Sequence, residues 1–264
     1  MKVLRISVLS LMVFSLMTGI CYGQTARDYY HKGIDYGVVG KFEEAREELT
    51  KALEADPLYA PARICLRLSE DVLKQRIKTE TALYSFKGIA YLNEGMLDEA
   101  IAEFKKAIRI NPKYADAHNN LGTTYLNKGM LDEAIAEFKK ALEINPDFAE
   151  AHGNLGETHL NKGMFDEAIA EFKKALEIDP EYADARCILG VAYANKGMLD
   201  EAIAEYKKAI EINPNLAMAH VNLAVAYYYK GEYSLATKHR DRLMELGYEV
   251  DPELLKALEP YRER

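Results

Sequence analysis

Tryptophan is absent from the 264 residues, cysteine occurs three times, and no two cysteines stand in a Cys-x-x-Cys spacing. That excludes a disulfide framework and offers no zinc or dithiol site. With 16 glycines and 8 prolines against 49% apolar residues, the chain is neither collagenous nor a disordered tail. Positive charge is in deficit: the formal net charge is −8, so the basic stripe that nucleic-acid binding requires is missing. There is no Gly-rich phosphate loop, no Gly-x-Ser-x-Gly elbow and no His-Glu-x-x-His. Neither an enzyme nor a cofactor is expected, and the apolar fraction leaves ample material for a core.

Residues 1–23 differ from the rest. Lys2 and Arg5 precede an apolar run from Ile6 to Ile20, and Cys21-Tyr22-Gly23 places small residues for cleavage before Gln24. This is a secretory signal pattern, which predicts an exported protein, periplasmic or secreted. Two alternatives stay open. The uncharged run Ile6–Gly23 sits at the short limit for a membrane anchor. Cys21 offers a lipidation site, although bulky Ile20 stands where lipoprotein signals carry a small residue.

The rest of the chain has a period of 34 residues, set by Pro112, Pro146, Pro180 and Pro214 and by Gly95, Gly129, Gly163, Gly197 and Gly231. Each unit reads as two helices. In the second, Ala134, Ile135, Phe138, Ala141 and Leu142 make an apolar stripe of helical period. Asp132 is expected as its N-cap, and Asn145-Pro146 ends it. In the first, Leu121, Gly122 and Tyr125 form the buried edge, and Gly129 is the left-handed turn residue.

Leu121-Gly122-x-x-Tyr125, Ala134-x-x-x-Phe138 and Pro146 resemble the tetratricopeptide repeat (TPR). The resemblance implies an all-α fold, a right-handed superhelix of stacked helix pairs (an α-α solenoid) whose concave groove is lined by the first helices. By that register the repeats are 26–59, 81–114, 115–148, 149–182, 183–216 and a degenerate 217–250, with 251–264 as a C-terminal capping helix and 60–80 as a helical insertion. No single unit can bury its own stripe, so stability comes from stacking.

Departures from the family pattern carry information. His118, His152, Arg186 and His220 replace the usual tryptophan. In the sixth repeat Arg240, Leu243 and Tyr248 replace Phe, Ala and Pro, and Lys238–Arg242 predicts a solvent-facing last helix. Nothing between Pro61 and Gly88 breaks a helix, so the insertion reads as one very long helix or two abutting ones. It offers a docking or dimer surface, or is a simple elongation. Glu133 and Glu137, with Lys140, read as a solvated face. The three equivalent histidines fall on helix pairs roughly 10 Å apart, against ligand distances near 2 Å for zinc. They are packing residues, and no metal site is expected. Cys65 and Cys187 are more than two repeats apart and are expected as free thiols.

The groove is therefore the candidate site. Its middle is polar and acidic: Asp116, Asn119, Asn120, Thr123, Glu150, Asn154, Glu157 and Asp184. Its far end is apolar: Ile188, Val191, Met218, Val221 and Val225, beside Asn222, with Cys187 and Tyr228 nearby. This end is either a binding patch or the seat of the helix around Leu254–Leu258. Asn120, Asn154 and Asn222 match the asparagine ladder of the superhelices in O-linked N-acetylglucosamine transferases, with Phe86 and Ile188 interrupting it. Asn93, Asn127, Asn161 and Asn195 either extend that ladder or cap their own helices. The expected partner is a protein or peptide with basic residues for the acidic middle and an apolar anchor. The family resemblance suggests a setting in envelope complex assembly; a self-associating structural protein, joined through 60–80, a regulatory subunit of an envelope enzyme, and a membrane tether through the N-terminus are the further expectations.

Overall fold

The computed structural model describes residues 22–261, with side chains from Ala26 onward. The expected leader's charged and apolar regions and Cys21 lie outside the described residues. Among those described are fourteen α-helices and no strand. They are α1 (Tyr22–Val38), α2 (Phe42–Ala55), α3 (Ala60–Leu73), α4 (Thr79–Asn93), α5 (Leu97–Ile110), α6 (Ala115–Asn127) and α7 (Leu131–Ile144). Beyond these come α8 (Ala149–Asn161), α9 (Phe165–Ile178), α10 (Ala183–Asn195), α11 (Leu199–Ile212), α12 (Ala217–Lys230), α13 (Tyr233–Glu245) and α14 (Pro252–Leu258). No described helix is long and apolar enough to cross a membrane.

From α4 to α13 the helices form antiparallel pairs, α4/α5 to α12/α13, stacked so that each pair packs on the next. The pair α6/α7 shows why. Ala134, Phe138 and Ala141 of α7 are fully buried, and Phe138 lies against Gly122 of α6, where an added Cβ would come within 2.7 Å of the ring. Gly129 has φ +77. Its amide bonds to Leu126 O at 2.9 Å and the Met130 amide to Tyr125 O at 2.9 Å, the left-handed closure that turns α6 into α7. Asn145, extended before Pro146, ends α7.

Asp132 is not the N-cap expected of it. Met130 caps α7 with no side-chain bond, and Asp132 instead pairs with Lys162 at the end of α8. The same tie recurs as Lys128–Asp98, Lys196–Asp166 and Lys230–Asp200, each linking a repeat to the one before. The aspartates are largely exposed, so these pairs fix register more than they add stability. Asp251 is a genuine cap: its carboxylate accepts from the Glu253 and Leu254 amides at 2.8 and 3.1 Å, starting α14.

The N-terminal part departs from the expected stack. The insertion is neither one long helix nor two abutting ones, because the chain turns at 74–78, where Gln75 takes φ +56. A residue other than glycine supplies the left-handed conformation, so no turn signal marks it. α3 packs on α2, and α1 lies against α4. Their direction is inverted: Asn93 meets Tyr30 and Phe86 meets Gly37, so α1 and α4 run antiparallel. Later first helices run parallel, as Asn154 with Asn119 and Asn222 with Cys187 show.

α1 therefore covers the face of α4 that in later repeats lines the groove. Phe86 and Ile89, the counterparts of Asn120 and Thr123, are buried. Leu83 and Ala90 stay half-buried, although their counterparts Ala117 and Thr124 are fully buried against the preceding pair. The groove is thus narrowed at its N-terminal end, where α4 still contributes Ile89, Leu92 and Asn93 to its wall.

The sixth repeat also differs from expectation. Arg240 is 3% exposed, standing in the slot of Phe138 and Phe172, and its guanidinium folds onto Asp241. The polar run of α13 is therefore not uniformly turned to solvent.

Candidate functional site

A cleft of about 270 Å³ opens between the first half of α3 and the facing sides of α4, α6 and α8, reaching Tyr182. A larger hollow of about 580 Å³ lies at the 74–78 turn and shares none of these residues.

The acidic end of the groove is occupied by the chain itself. Arg67 of α3 donates from Nε to Asp116 Oδ1 at 3.0 Å, and its Nη2 bonds to the same oxygen. Nη1 pairs with Glu150 Oε1 at 3.6 Å, and the guanidinium lies 5.1 Å from the centre of the Phe148 ring. A planar cation held by carboxylates and stacked on an aromatic face is a mode that arginine suits better than lysine. Asp116 and Glu150, expected to await a partner, are engaged internally. Burial raises the Asp116 pKa against the pull of Arg67. Burial weakens the Arg67 charge, but Asp116 and Glu150 outweigh it and raise its pKa.

Asn119 lines the cleft but is committed to the contact between neighbouring helices. It is 4% exposed, lodged between α6 and α8, and its Oδ1 accepts from Asn154 Nδ2 at 3.0 Å. Asn154 also reaches Thr123 Oγ1 at 3.4 Å, and Thr123 donates to Asn119 O at 3.1 Å. This trio holds the two helices in register. Ser85 and Cys187, at positions equivalent to Asn119, are likewise buried. Asn120 lines the cleft.

Glu157 and Asp184 have no ion-pair partner among the described residues. Glu157 is half-buried and Asp184 exposed, and desolvation by the surrounding protein raises the pKa of each. The ring of Tyr182 lies over Gly153 of α8, where an added Cβ would come within 3.3 Å of it. The structure thus brings Asn119, Asn120, Thr123, Glu150 and Asn154 together around one cleft, and pairs Asp116 with Arg67.

The apolar set gathers separately. Val191, Met218 and Val225 are half-buried in a cluster that includes Leu254 and Leu258 of α14. Ile188 packs on a different cluster with Leu189 and Tyr182, and Val221 is half-buried. Asn222 donates to Cys187 Sγ at 3.6 Å. Of the edge asparagines, Asn195 bonds back to Val191 O at 2.9 Å and Asn93 to Tyr30. Asn127 and Asn161 are exposed.

The residues at the tryptophan position have a shared role. His118 Nδ1 meets Glu137 Oε2 at 2.6 Å and Nε2 meets Pro112 O at 3.1 Å, and His152 repeats this with Glu171 and Pro146. Arg186 spans Glu205 and Pro180 in the same way. Glu137 is therefore no solvated residue, since it is held between His118 and Lys140. Among the described residues no group of three His, Cys, Asp or Glu could hold a metal ion. Cys65 and Cys187 are free and buried, and burial pushes both thiols up to about 12, which leaves them unreactive. Cys65, Leu68 and Val72 spend the apolar face of α3 inside the chain, so the insertion is not a free apolar surface.

Reading the sequence missed Arg67, Phe148 and Tyr182. The aromatic pair was visible as the repeated position 114, 148, 182. Arg67 carried no signal, because the turn that brings it into the groove was unmarked.

Profiles described as TPR repeat match residues 88–129 and 193–231, and profiles described as tetratricopeptide repeat match 128–186 and 171–204. Human tetratricopeptide repeat protein 13 is 30% identical over 96 residues, and the match spans 11% of that protein. A crystal structure of MamA is 31% identical with a TM-score of 0.55, over 61% of this chain and 94% of that one. A MamA from Desulfovibrio magneticus RS-1 is 24% identical with a TM-score of 0.57, over 64% and 95%, and is similar in fold alone.

Proposed function

Because the chain belongs to the tetratricopeptide repeat family, whose members are generally non-enzymatic scaffolds of protein–protein interaction, we propose that this one captures a protein segment in its concave groove. The segment carries basic residues. It enters the part of the groove left open from α6 to α12, between the plug formed by α1–α3 and the cap formed by α14. No catalytic role is assigned to any residue. The signal pattern of residues 1–23 supports export, to a periplasmic or extracellular site or to a membrane tether through the N-terminus, where such a scaffold would assist assembly of an envelope complex.

One observation carries the reading: Glu157 and Asp184 gather around Tyr182 with no cation of the chain's own in an ion pair with either, while Asp116 has drawn in Arg67. Carboxylates gathered without counter-charge favour a cationic ligand.

The test is a cross-linking capture from envelope extract with the chain from residue 24, beside the variant Asn120→Ala/Glu157→Gln/Asp184→Asn. Circular dichroism checks that both are folded. A partner lost only with the variant supports the groove. The same partner retained by both would overturn it. Amino-terminal sequencing of the fractionated protein tests export, with a mature end at Gln24 as the expected result.

A further inference from the structure

Arg67 shows how this groove holds a cation, and the 34-residue period says where it would do so again. The first cage consists of Asp116, Glu150 and the Phe148 ring. Advancing each by one repeat gives Glu150, Asp184 and Tyr182, so every element is kept: carboxylate, carboxylate, aromatic ring. Advancing once more gives Asp184, Met218 and Leu216, where one carboxylate and the ring are gone. The arrangement therefore occurs twice, filled the first time and without a cation the second.

Resting on the groove-binding reading above, we propose that Glu150, Asp184 and Tyr182 form a second arginine cage, and that it takes an arginine side chain from the bound protein segment.

Several features of the second cage support this. Glu150 belongs to both cages and engages Arg67 only at 3.6 Å, through one oxygen, leaving its second oxygen for a neighbouring cation. Tyr182 is placed over the groove because α8 carries Gly153, where α6 carries the side chain of Asn119. Glu157 replaces Thr123 and adds a carboxylate at that position. Desolvation raises Glu157 and the surface-exposed Asp184, and the Tyr182 hydroxyl is raised by burial and then by Asp184, Glu150 and Glu157 around it. An entering cation would relieve that crowding of negative charge. The ring and the paired carboxylates select guanidinium over ammonium, because a planar fork can stack and bridge together whereas a point charge cannot.

The test displays random fourteen-residue peptides to the chain from residue 24, then measures selected peptides by calorimetry. The expected result is that selected peptides share an arginine, that arginine-to-lysine replacement weakens binding at least tenfold, and that Asp184→Asn and Tyr182→Ala each do the same. Peptides without arginine, or arginine peptides indifferent to Asp184→Asn, would overturn the cage. In that case loss of those peptides with Val225→Asp would leave the groove reading standing. Peptides indifferent to all three variants, or no binders, would overturn both.

Discussion

The side-chain amide of Asn93 donates to the Tyr30 hydroxyl at 2.9 Å, across 63 residues of sequence. In a regular stack the last turn of one first helix lies beside the last turn of the next. Here the last turn of α4 meets the middle of α1, so the first helix pair enters the solenoid backwards. The reversal follows from α3, since one extra helix between two antiparallel pairs inverts the direction of whichever pair it connects. Its consequence is functional, because α1 and α3 cover the start of the groove and α3 delivers Arg67 to Asp116.

Arg67 and Asp116 are expected to be energetically coupled. Arg67→Ala leaves a desolvated carboxylate without its cation, at a cost of about 1–2 kcal/mol. In Asp116→Asn that penalty is absent, so the double variant should be more stable than the summed single effects by about 1 kcal/mol or more. Urea denaturation followed at 222 nm measures this. Additivity within about 0.5 kcal/mol would mean that the pair only decorates the surface.

Two glycines of one repeat should fail for different reasons. Gly122→Ala drives a methyl group into Phe138 and is expected to cost about 1–3 kcal/mol through overpacking. Gly129→Ala meets no atom within 4 Å but must adopt φ +77, at about 1–2 kcal/mol. Adding Phe138→Leu should rescue the first variant and not the second, as read from thermal midpoints.

The repeat region was largely legible because its signals are local and fourfold redundant. Pro146 and Gly129 mark ends, Phe138 marks the stripe, and stacking contacts lie one period away. The groove was legible only in part. Asn119 and Asn120 both line the cleft, but Asn119, only one residue before Asn120, is spent on the α6–α8 contact. That distinction depends on the angle between neighbouring helices, which no single repeat encodes. The N-terminal plug was hidden because its turn uses Gln75 in a conformation usually given to glycine, and its partners are distant in sequence.

His159 stands where other repeats have tyrosine. Lys105, Lys173 and Lys207 lie 5.7, 5.9 and 5.6 Å from the rings of Tyr125, Tyr193 and Tyr227. Lys139 is their counterpart at His159. The His159 Nδ1 atom is buried without a hydrogen-bond partner among the described residues. His159→Tyr should restore the cation–π contact and remove that orphan atom, adding about 0.5–1 kcal/mol. A lower thermal midpoint would show that the slot does not admit the phenol.

The last repeat should carry a pH dependence through its histidine pair. His118 and His152 face glutamates, whereas His220 Nδ1 faces His239 Nδ1 at 3.0 Å. Burial, then the charge of His220, then Lys238 and Lys207, lowers His239 from 6.5 to about 4. Between those values the unfolded chain binds a proton that the folded chain refuses. This contribution is complete above pH 6.5 and is lost as pH falls toward 4. Allowing for the partial exposure of the ring, the loss is about 1–2 kcal/mol. His239→Glu recreates the arrangement of His118 with Glu137. In Glu137 burial pulls the carboxyl up, but the bonds from His118 and Lys140 outweigh it and lower its pKa. That kind of pair persists until pH falls through the lowered carboxyl value. The raised carboxyls of Asp116, Glu157 and Asp184 work in the opposite direction, but they are common to both proteins and cancel in the difference. Urea midpoints for the two proteins should therefore diverge as pH falls from 6.5 to 4, with the variant the more stable, whereas parallel curves would mean that the His220–His239 pair carries no proton linkage.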